Sequence, residues 1–598
     1  MNRILAKKFF NRVLIFNRNY STKGSDIIYQ KLLEHNVKNT WIYSGGSVMP
    51  IIDKFYNGDI NYYVNSHEQN CGHAATGYAK SSGKTGVCIV TSGPGITNMI
   101  TPMLDATNDS TPLIVISGQV AKTAIGTDAF QEAPAVEISK SVTKWSYCVK
   151  DVSELPEVMD KAFLIANDKK KGSVHIDIPK CVSNDDYFHS DSEIESPKIS
   201  VLPEIDNNHV NKIVDMINNS KKPILYVGQG CVEAYQELRE FAINGNIPVT
   251  TTIHGNGIFD ESHPLSLRWC GMHGNPAANY SLQEADCIIA LGSRFDDRTT
   301  GLISDYAPKA RQASEDGTGG IIHVDIEPRQ IDKVIKSDLF INGKCLDFLR
   351  LANPLIKYNS RKDWINFINK KQNEHPFDYN KKETKLLKME EVLIELNDKT
   401  KNKDVVFTTG VGNHQMQCYQ FIKSQYPKKI ISSGSLGVMG VGLPYSIGVQ
   451  IANPDKLVVN FDGDSSFNMT LSDLKTVKEH NLPIKIAIMN NSAQMMVTIW
   501  EKLFFEERYT ATINKSNPDY TKLAESYGIQ GIKCSHISDL KKTIDYFINY
   551  DGPILCEFEI EKNICLPLVG PGKALDDMIL FNDYKNENKI NLSGDAPS

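Results

Sequence analysis

Behind the first two dozen residues, short apolar runs alternate with longer stretches whose apolar positions recur at helical spacing. Apolar runs bounded by turn residues read as buried strands, and the periodic stretches read as helices. Their steady alternation predicts an α/β chain built on mainly parallel sheets flanked by helices. The rhythm breaks twice. Residues 183–205 are polar and acidic, and residues 355–385 carry many lysines and asparagines with little periodicity; both read as linkers. Three consecutive blocks remain, at 24–182, 206–350 and 386–565, each of ordinary domain size, followed by a tail at 566–598 with a polar end.

One stretch of the third block is specific enough to predict chemistry. Leu457, Val458 and Val459 read as a strand, and "NFDGDSSF" (460–467) reads as a loop behind it that carries Asp462 and Asp464. Leu471, Leu474 and Val477 then fall at helical spacing, with Thr470 or Ser472 as a cap and Pro483 as the stop. The run "IKIAIM" reads as a second strand that ends at Asn490 and Asn491. A right-handed crossover sets the two strands parallel, so both loops emerge at one edge of the sheet. Charge at the end of a buried strand is costly unless something compensates it. Asp464 and Asn491 can therefore converge as hard oxygen ligands suited to Mg²⁺, an ion that completes its octahedron with phosphate oxygens and water. Backbone N–H groups at Gly463 and at the helix start beyond it suit the phosphates. The pattern predicts a metal–diphosphate site.

Composition narrows the partners. The 598 residues are 41% hydrophobic and 23% charged, with a net charge of -6, which gives no electrostatic reason to expect nucleic acid or an acidic membrane as partner. No apolar run approaches the roughly 20 residues that span a bilayer. The 12 cysteines form no CxxC pair, so neither a zinc knuckle nor a disulfide framework is signalled, and a reducing setting is expected. Residues 1–23 differ from the rest: Arg3, Lys7, Lys8, Arg12 and Arg18 interleave with Ile4, Leu5, Phe9, Phe10 and Leu14, with no acid before Asp26. That basic amphipathic pattern is the one expected of a mitochondrial transit peptide. Two phosphate-loop patterns carry little. "GYAKSSGKT" spaces its glycines by five residues where a P-loop needs four, and "GQGCVE" has Glu233 where a third glycine belongs. A nucleotide fold in the middle block remains possible.

A GD motif followed one crossover later by NN is the signature of thiamine diphosphate enzymes. The whole length behind the leader resembles the acetohydroxyacid (acetolactate) synthase catalytic subunits. The stretches that carry the resemblance occur in one order: "YSGGS", "SHEQNCGHAATGYAK", "TSGPGITN", "GTDAFQEA", "DIPK", "GMHG", "SRFDDR", "GVGNHQM", "LGVMGVGLP", "GDSSF" and "WEKLFFEERY". The resemblance implies a thiamine diphosphate-binding fold of three domains: one for the pyrimidine, an FAD-binding middle domain, and one for the diphosphate and Mg²⁺. It implies a decarboxylating condensation of pyruvate with a second pyruvate or with 2-ketobutyrate, early in branched-chain amino-acid synthesis. A homodimer or homotetramer, a small regulatory subunit and a mitochondrial location are implied as well.

Residue roles follow from the same resemblance. Glu68 matches the carboxyl that meets the cofactor's pyrimidine, and Met439 the wedge that bends the cofactor. Gly412, Asn413, His414, Gly463 and Ser465 match the diphosphate loops, and Asp464 and Asn491 the metal ligands. Gly228, Met272, Arg294, Asp296, Asp325 and Lys170 match flavin-contacting positions. Gly46 and Gln131 are expected to face developing negative charge, with Phe130 and Lys180 lining that pocket. Arg298 and Trp500 match positions that select the second substrate. The sequence departs from the family at Ser44, Ser435, Ser465, Met495 and Gln417, where proline, three glycines and tryptophan are expected, and at Lys170, where a lysine cannot reproduce the bidentate fork of arginine. Two other readings stand beside the synthase: another thiamine diphosphate-dependent 2-keto acid decarboxylase or oxidase, and a cofactor-binding subunit without catalysis.

Overall fold

A computed structural model describes residues 21–188, 201–381 and 384–581. They form two compact units, one of residues 21–75 and 85–188, the other of residues 76–84 and 201–581. Residues 1–20, most of the expected 1–23 leader, and the polar chain end lie outside the described residues.

The first unit holds a six-stranded, all-parallel sheet. From edge to edge it runs Asn61–Tyr63, Asn39–Ile42, Gly86–Val90, Leu113–Gln119, Ser173–Pro179, Trp145–Cys148. Gly86–Val90, Leu113–Gln119 and Ser173–Pro179 are buried along their whole length. That explains why these strands read as continuous runs rather than alternating ones, since parallel sheets are covered on both faces. Helices Gly24–Glu34 and Leu155–Asn167 supply part of the cover, with Ile28, Leu32, Met159 and Ala162 in the core.

The second unit carries two further parallel six-stranded sheets. One runs Ser266–Trp269, Val249–Thr251, Pro223–Val227, Cys287–Leu291, Gly320–Asp325, Leu339–Asn342. The other runs Ile430–Ile431, Val405–Thr409, Leu457–Gly463, Lys485–Asn490, Ile554–Glu559, Gln530–Cys534. Counted in chain order within each sheet, the first and last share the order 2-1-3-4-6-5, and the middle one has the order 3-2-1-4-5-6. The latter is the strand order of dinucleotide-binding folds. Each six-stranded sheet thus reverses direction beside its first strand, and open α/β sheets take their ligands at the carboxyl ends of strands at such a point.

Several expectations need revision. The supposed loop at 460–467 is half strand and half helix: Leu457–Gly463 continues through Asp462, and the short helix Asp464–Phe467 follows at once. Neither Thr470 nor Ser472 caps the helix that follows; the Thr470 hydroxyl donates instead to the Gly440 carbonyl at 2.7 Å. The second linker contains the helix Lys362–Glu374, whose Trp364 and Ile368 are buried in the core of the middle sheet. The tail is structured as far as it is described, with Leu568–Val569 pairing antiparallel to Met578–Ile579. Thr22 and Lys23, assigned to the leader, pair antiparallel with Tyr187 and Asp186, and Lys23 Nζ lies 3.0 Å from Asp186 Oδ1. Among the described residues no helix is long and apolar enough to cross a membrane.

Candidate active site

In the first unit the reversal point lies between Asn39–Ile42 and Gly86–Val90, and the loops behind them touch. A Cβ on Gly45 would meet the Thr91 side chain at 2.3 Å, so only glycine allows that approach. Ser47 Oγ lies 2.9 Å from Thr91 Oγ1 and accepts the Ser92 N–H at 3.0 Å. The neighbouring Gly46 faces open space. Gln131, held at φ +61°, follows the strand Leu113–Gln119, and Lys180 directly follows Ser173–Pro179. Gly46, Gln131 and Lys180 therefore all follow carboxyl ends of this sheet, and Phe130 beside them is 87% exposed. Glu68 starts the helix Glu68–Ser82, is buried, and accepts a hydrogen bond from Asn98 Nδ2 at 3.1 Å. Lys170 does not join this group. It precedes the strand Ser173–Pro179 and so stands at the opposite edge of the sheet.

In the last sheet the reversal point brings "GVGNHQM" and "GDSSF" together. Gly412, at φ +146°, precedes the helix Asn413–Phe421, whose first turn carries Asn413 and His414. A Cβ on Gly463 would meet His414 Nδ1 at 2.7 Å, so the two loops are in contact. Asp462 is fully buried and accepts the Gly463 N–H at 3.0 Å. His414 Nε2 lies 3.2 Å from Asp462 Oδ1, yet it and Asp462 Oδ2 and Asn413 Oδ1 are buried with no hydrogen-bond partner among the described residues. Buried polar atoms are rarely left unpaired. Of the three, the His414 ring nitrogen can donate to a phosphate oxygen, whereas Asp462 Oδ2 and Asn413 Oδ1 are acceptors. Asp464 is buried, and its Oδ2 accepts hydrogen bonds from Asn514 Nδ2 and Asn517 Nδ2, each at 2.8 Å. Burial pushes its pKa up while those amides pull it down, with burial the larger effect. Asn491 follows the adjacent parallel strand Lys485–Asn490, as the crossover argument requires. No three His, Cys, Asp or Glu side chains cluster around a point among the described residues. One carboxylate plus an amide oxygen is still the kind of set that suits Mg²⁺ completed by phosphate and water. Met439 lies in a loop fixed to the same place, since the Gly440 N–H donates to Ser466 Oγ at 2.9 Å.

The middle sheet packs its two switch-point loops backbone to backbone. A Cβ on Gly228 would sit 2.2 Å from the Gly292 carbonyl oxygen, and Gly292 itself has φ +57°. "GQGCVE" lacks its third glycine, but its first two make this close approach possible. Arg294 lies 4.0 Å from Asp296 and donates from Nη2 to Ser435 Oγ at 2.7 Å. A serine that departs from the family thus holds a flavin-matching arginine. Asp325 ends its strand and accepts the Glu327 N–H at 2.8 Å. These glycines and the open strand ends fit a dinucleotide such as FAD. Arg298 is exposed and donates to Met272 Sδ at 3.3 Å; Met272 in turn packs on the cluster of Met495 and Ile499. Trp500 lies on that same helix, Met495–Phe504, half-buried against Phe504. No hydrogen bond or ring contact joins Trp500 to Arg298. Met495 is buried in that apolar cluster, which is how this chain accommodates a large residue where a glycine is expected.

Sequence reasoning missed Asn514, Asn517 and Glu390. Gln417, expected as tryptophan, is buried and donates to Glu390 Oε1 at 3.1 Å. Burial pushes the Glu390 carboxyl up to about 7.

Three parallel six-stranded sheets with glycine-lined switch points form the architecture of a thiamine pyrophosphate enzyme. Family models agree: the N-terminal TPP binding domain of thiamine pyrophosphate enzymes matches residues 22–138, the central domain 210–351 and the C-terminal TPP binding domain 410–558. The chain is 42% identical over 577 residues to the mitochondrial acetolactate synthase catalytic subunit of Saccharomyces cerevisiae, covering 94% of this chain and 84% of that one. It is 42% identical over 577 residues to the mitochondrial acetolactate synthase of Schizosaccharomyces pombe (93% and 86%), and 38% over 563 residues to the isozyme 2 large subunit of Escherichia coli (93% and 99%). The chain belongs to the acetolactate synthase catalytic subunit family.

Proposed function

We propose that this protein condenses pyruvate, with loss of CO₂, onto a second pyruvate to give 2-acetolactate, or onto 2-ketobutyrate to give 2-aceto-2-hydroxybutyrate. The observation that carries the reading is the likeness to synthases of that name along nearly the whole chain, with Asp464 and Asn491 on the two adjacent loops where the cofactor's diphosphate belongs.

Bound thiamine diphosphate would supply an acidic C2–H and a thiazolium ring able to take up the electron pair released when a 2-keto acid loses CO₂. Glu68, steadied by Asn98, would hold a proton on a pyrimidine ring nitrogen of the cofactor, which is general acid–base work for a buried carboxyl. Met439 would support the bound cofactor from its loop beside Ser466. Asp464 and Asn491 hold Mg²⁺, and Gly412, Asn413, His414, Gly463 and Ser465 take the diphosphate oxygens. Gly46 and Gln131 meet developing negative charge, with Phe130 and Lys180 lining the same pocket. Arg298 offers a guanidinium fork to the acceptor's carboxylate, and Trp500 forms an apolar wall for its side chain. Gly228, Met272, Arg294, Asp296, Asp325 and Lys170 hold FAD, which undergoes no net redox change. The working form is a homodimer or homotetramer with a small regulatory subunit. The basic segment ahead of Thr22 directs it to mitochondria, where its fungal relatives are named.

The deciding experiment is an assay of purified protein with pyruvate, thiamine diphosphate, Mg²⁺ and FAD. Acetolactate is the expected product. Acetaldehyde or acetyl phosphate as the main product would transfer the chain to a decarboxylase or oxidase, and no turnover with cofactor bound would make it a non-catalytic subunit.

A further inference from the structure

Asp464 is approached from a segment that no motif marks. Residues 512–514 run alongside the loop that follows Asn491. The Gln494 N–H donates to the Thr512 carbonyl at 2.8 Å, the Asn514 N–H to the Ser492 carbonyl at 2.9 Å, and Ala493 bridges antiparallel to Ile513. Glu501, on the helix Met495–Phe504, anchors the start of this segment by accepting the Thr510 N–H at 2.7 Å and the Thr512 hydroxyl. So anchored, the segment aims two side-chain amides at one oxygen. Asn514 Nδ2 donates to Asp464 Oδ2 and to Ser465 Oγ, at 2.8 and 2.7 Å. Asn517 Nδ2 donates to the same Oδ2 and to Asn490 Oδ1, at 2.8 and 3.0 Å. Asn517 is itself held by Asn468 Nδ2 at 3.1 Å, and Asn468 by the Tyr520 hydroxyl at 3.0 Å.

A carboxylate oxygen has two lone-pair sites, and both on Asp464 Oδ2 are taken by amide N–H groups. A cation must therefore approach through Oδ1, as a single-oxygen ligand. Through Asn517 the same clamp also ties the strand end that carries Asp464 to the strand end at Asn490, one residue before the other metal ligand. We propose that Asn514 and Asn517 are positioning residues for the metal: they fix the Asp464 carboxylate so that one oxygen is presented to Mg²⁺, and they set the spacing of the two ligand-bearing loops. This rests on the reading of Asp464 and Asn491 as metal ligands. Partners that orient a metal ligand typically change metal affinity by about 10- to 100-fold when removed.

The test uses Mn²⁺ as a spectroscopic substitute for Mg²⁺, titrated into the purified full-length protein with thiamine diphosphate and followed by electron paramagnetic resonance. Asn514→Ala and Asn517→Ala are each expected to weaken Mn²⁺ binding about 10-fold or more. In turnover, the Mg²⁺ concentration for half activation rises in parallel, while kcat recovers at saturating Mg²⁺. A purely structural role would lower kcat and thermal stability without that recovery. Asn514 lies half-exposed on a loop, so its variant keeps the test alive if Asn517→Ala does not fold. If both variants bind Mn²⁺ as tightly as the parent while Asp464→Ala loses it, the positioning role is wrong and the metal site stands. If Asp464→Ala also keeps full affinity, the metal assignment fails and the positioning role with it.

Discussion

Replacing Glu390 with glutamine should make the protein more stable, and more so the higher the pH. Glu390 lies in the helix Met389–Thr400, is buried, and shares one hydrogen bond with Gln417 through Oε1. Its other oxygen and Gln417 Oε1 are buried with no hydrogen-bond partner among the described residues. Burial, the largest influence, raises the carboxyl from 4.5 to about 7, and the charge of Lys388 only partly offsets it. Because the folded value lies above the unfolded one, the folded chain keeps a proton that the unfolded chain has already lost. Stability is then full below pH 4.5 and falls as pH rises toward 7, after which it is level. At about 1.4 kcal/mol per pH unit, the loss accumulated across that window is about 3 kcal/mol. Glutamine has the same size, never ionises, and its amide can donate to the unpaired Gln417 Oε1. Thermal unfolding of parent and Glu390→Gln at pH 5, 6.5 and 8 should show a difference of less than about 1 kcal/mol at the lowest pH, growing to about 3 kcal/mol at the highest. A difference that is the same at all three pH values, or absent, would refute the buried-acid argument.

Glu68→Gln should leave thiamine diphosphate bound but slow proton exchange at its C2, measured by NMR, by ~10² to 10⁴; unchanged exchange would remove Glu68 from the chemistry. With both acceptors present, Trp500→Leu should shift the products toward acetolactate, since an apolar wall rewards the extra methylene of 2-ketobutyrate by ~1 to 3 kcal/mol. A product ratio equal to the parent's would leave Trp500 as packing only. Lys170→Arg should tighten FAD by about tenfold in a fluorescence titration, because a charge-assisted hydrogen bond is worth roughly 1.5 to 3 kcal/mol; flavin binding to neither protein would end the middle-domain assignment.

What the sequence disclosed follows from where each signal is written. Strands buried on both faces appear as apolar runs, so "PILYV" and "IKIAIM" announced themselves. The crossover rule then placed Asn491 beside the "GDSSF" loop without any side-chain information. The helix Lys362–Glu374 was overlooked because its buried stripe, Trp364 and Ile368, is narrow and sits among lysines and asparagines. The strand through Asp462 reads short in the sequence because a buried carboxylate looks like a loop residue until its glycine and histidine neighbours are in place. Asn514 and Asn517 were invisible for another reason. An asparagine in a polar stretch resembles any turn residue, and only the pairing of 512–514 against 492–494 shows which carboxylate it serves.

The hairpin at 568–579 has a consequence for how the chain is made. Leu575 and Met578 belong to the core of the middle sheet, alongside Ile224 and Ile288. The Val569 N–H closes onto the Met272 carbonyl at 2.8 Å, and His273 Nδ1 lies 3.0 Å from the Pro567 carbonyl. The middle sheet leaves the ribosome long before these residues exist. Until the entire C-terminal sheet has been synthesised, its apolar face stays incomplete, a sticky surface that chaperones can hold. Completion of that face therefore reports that translation has passed the whole cofactor-binding domain. A transcript stopped short of Leu568 would yield a chain that exposes its own incompleteness to the proteases that clear unfinished proteins.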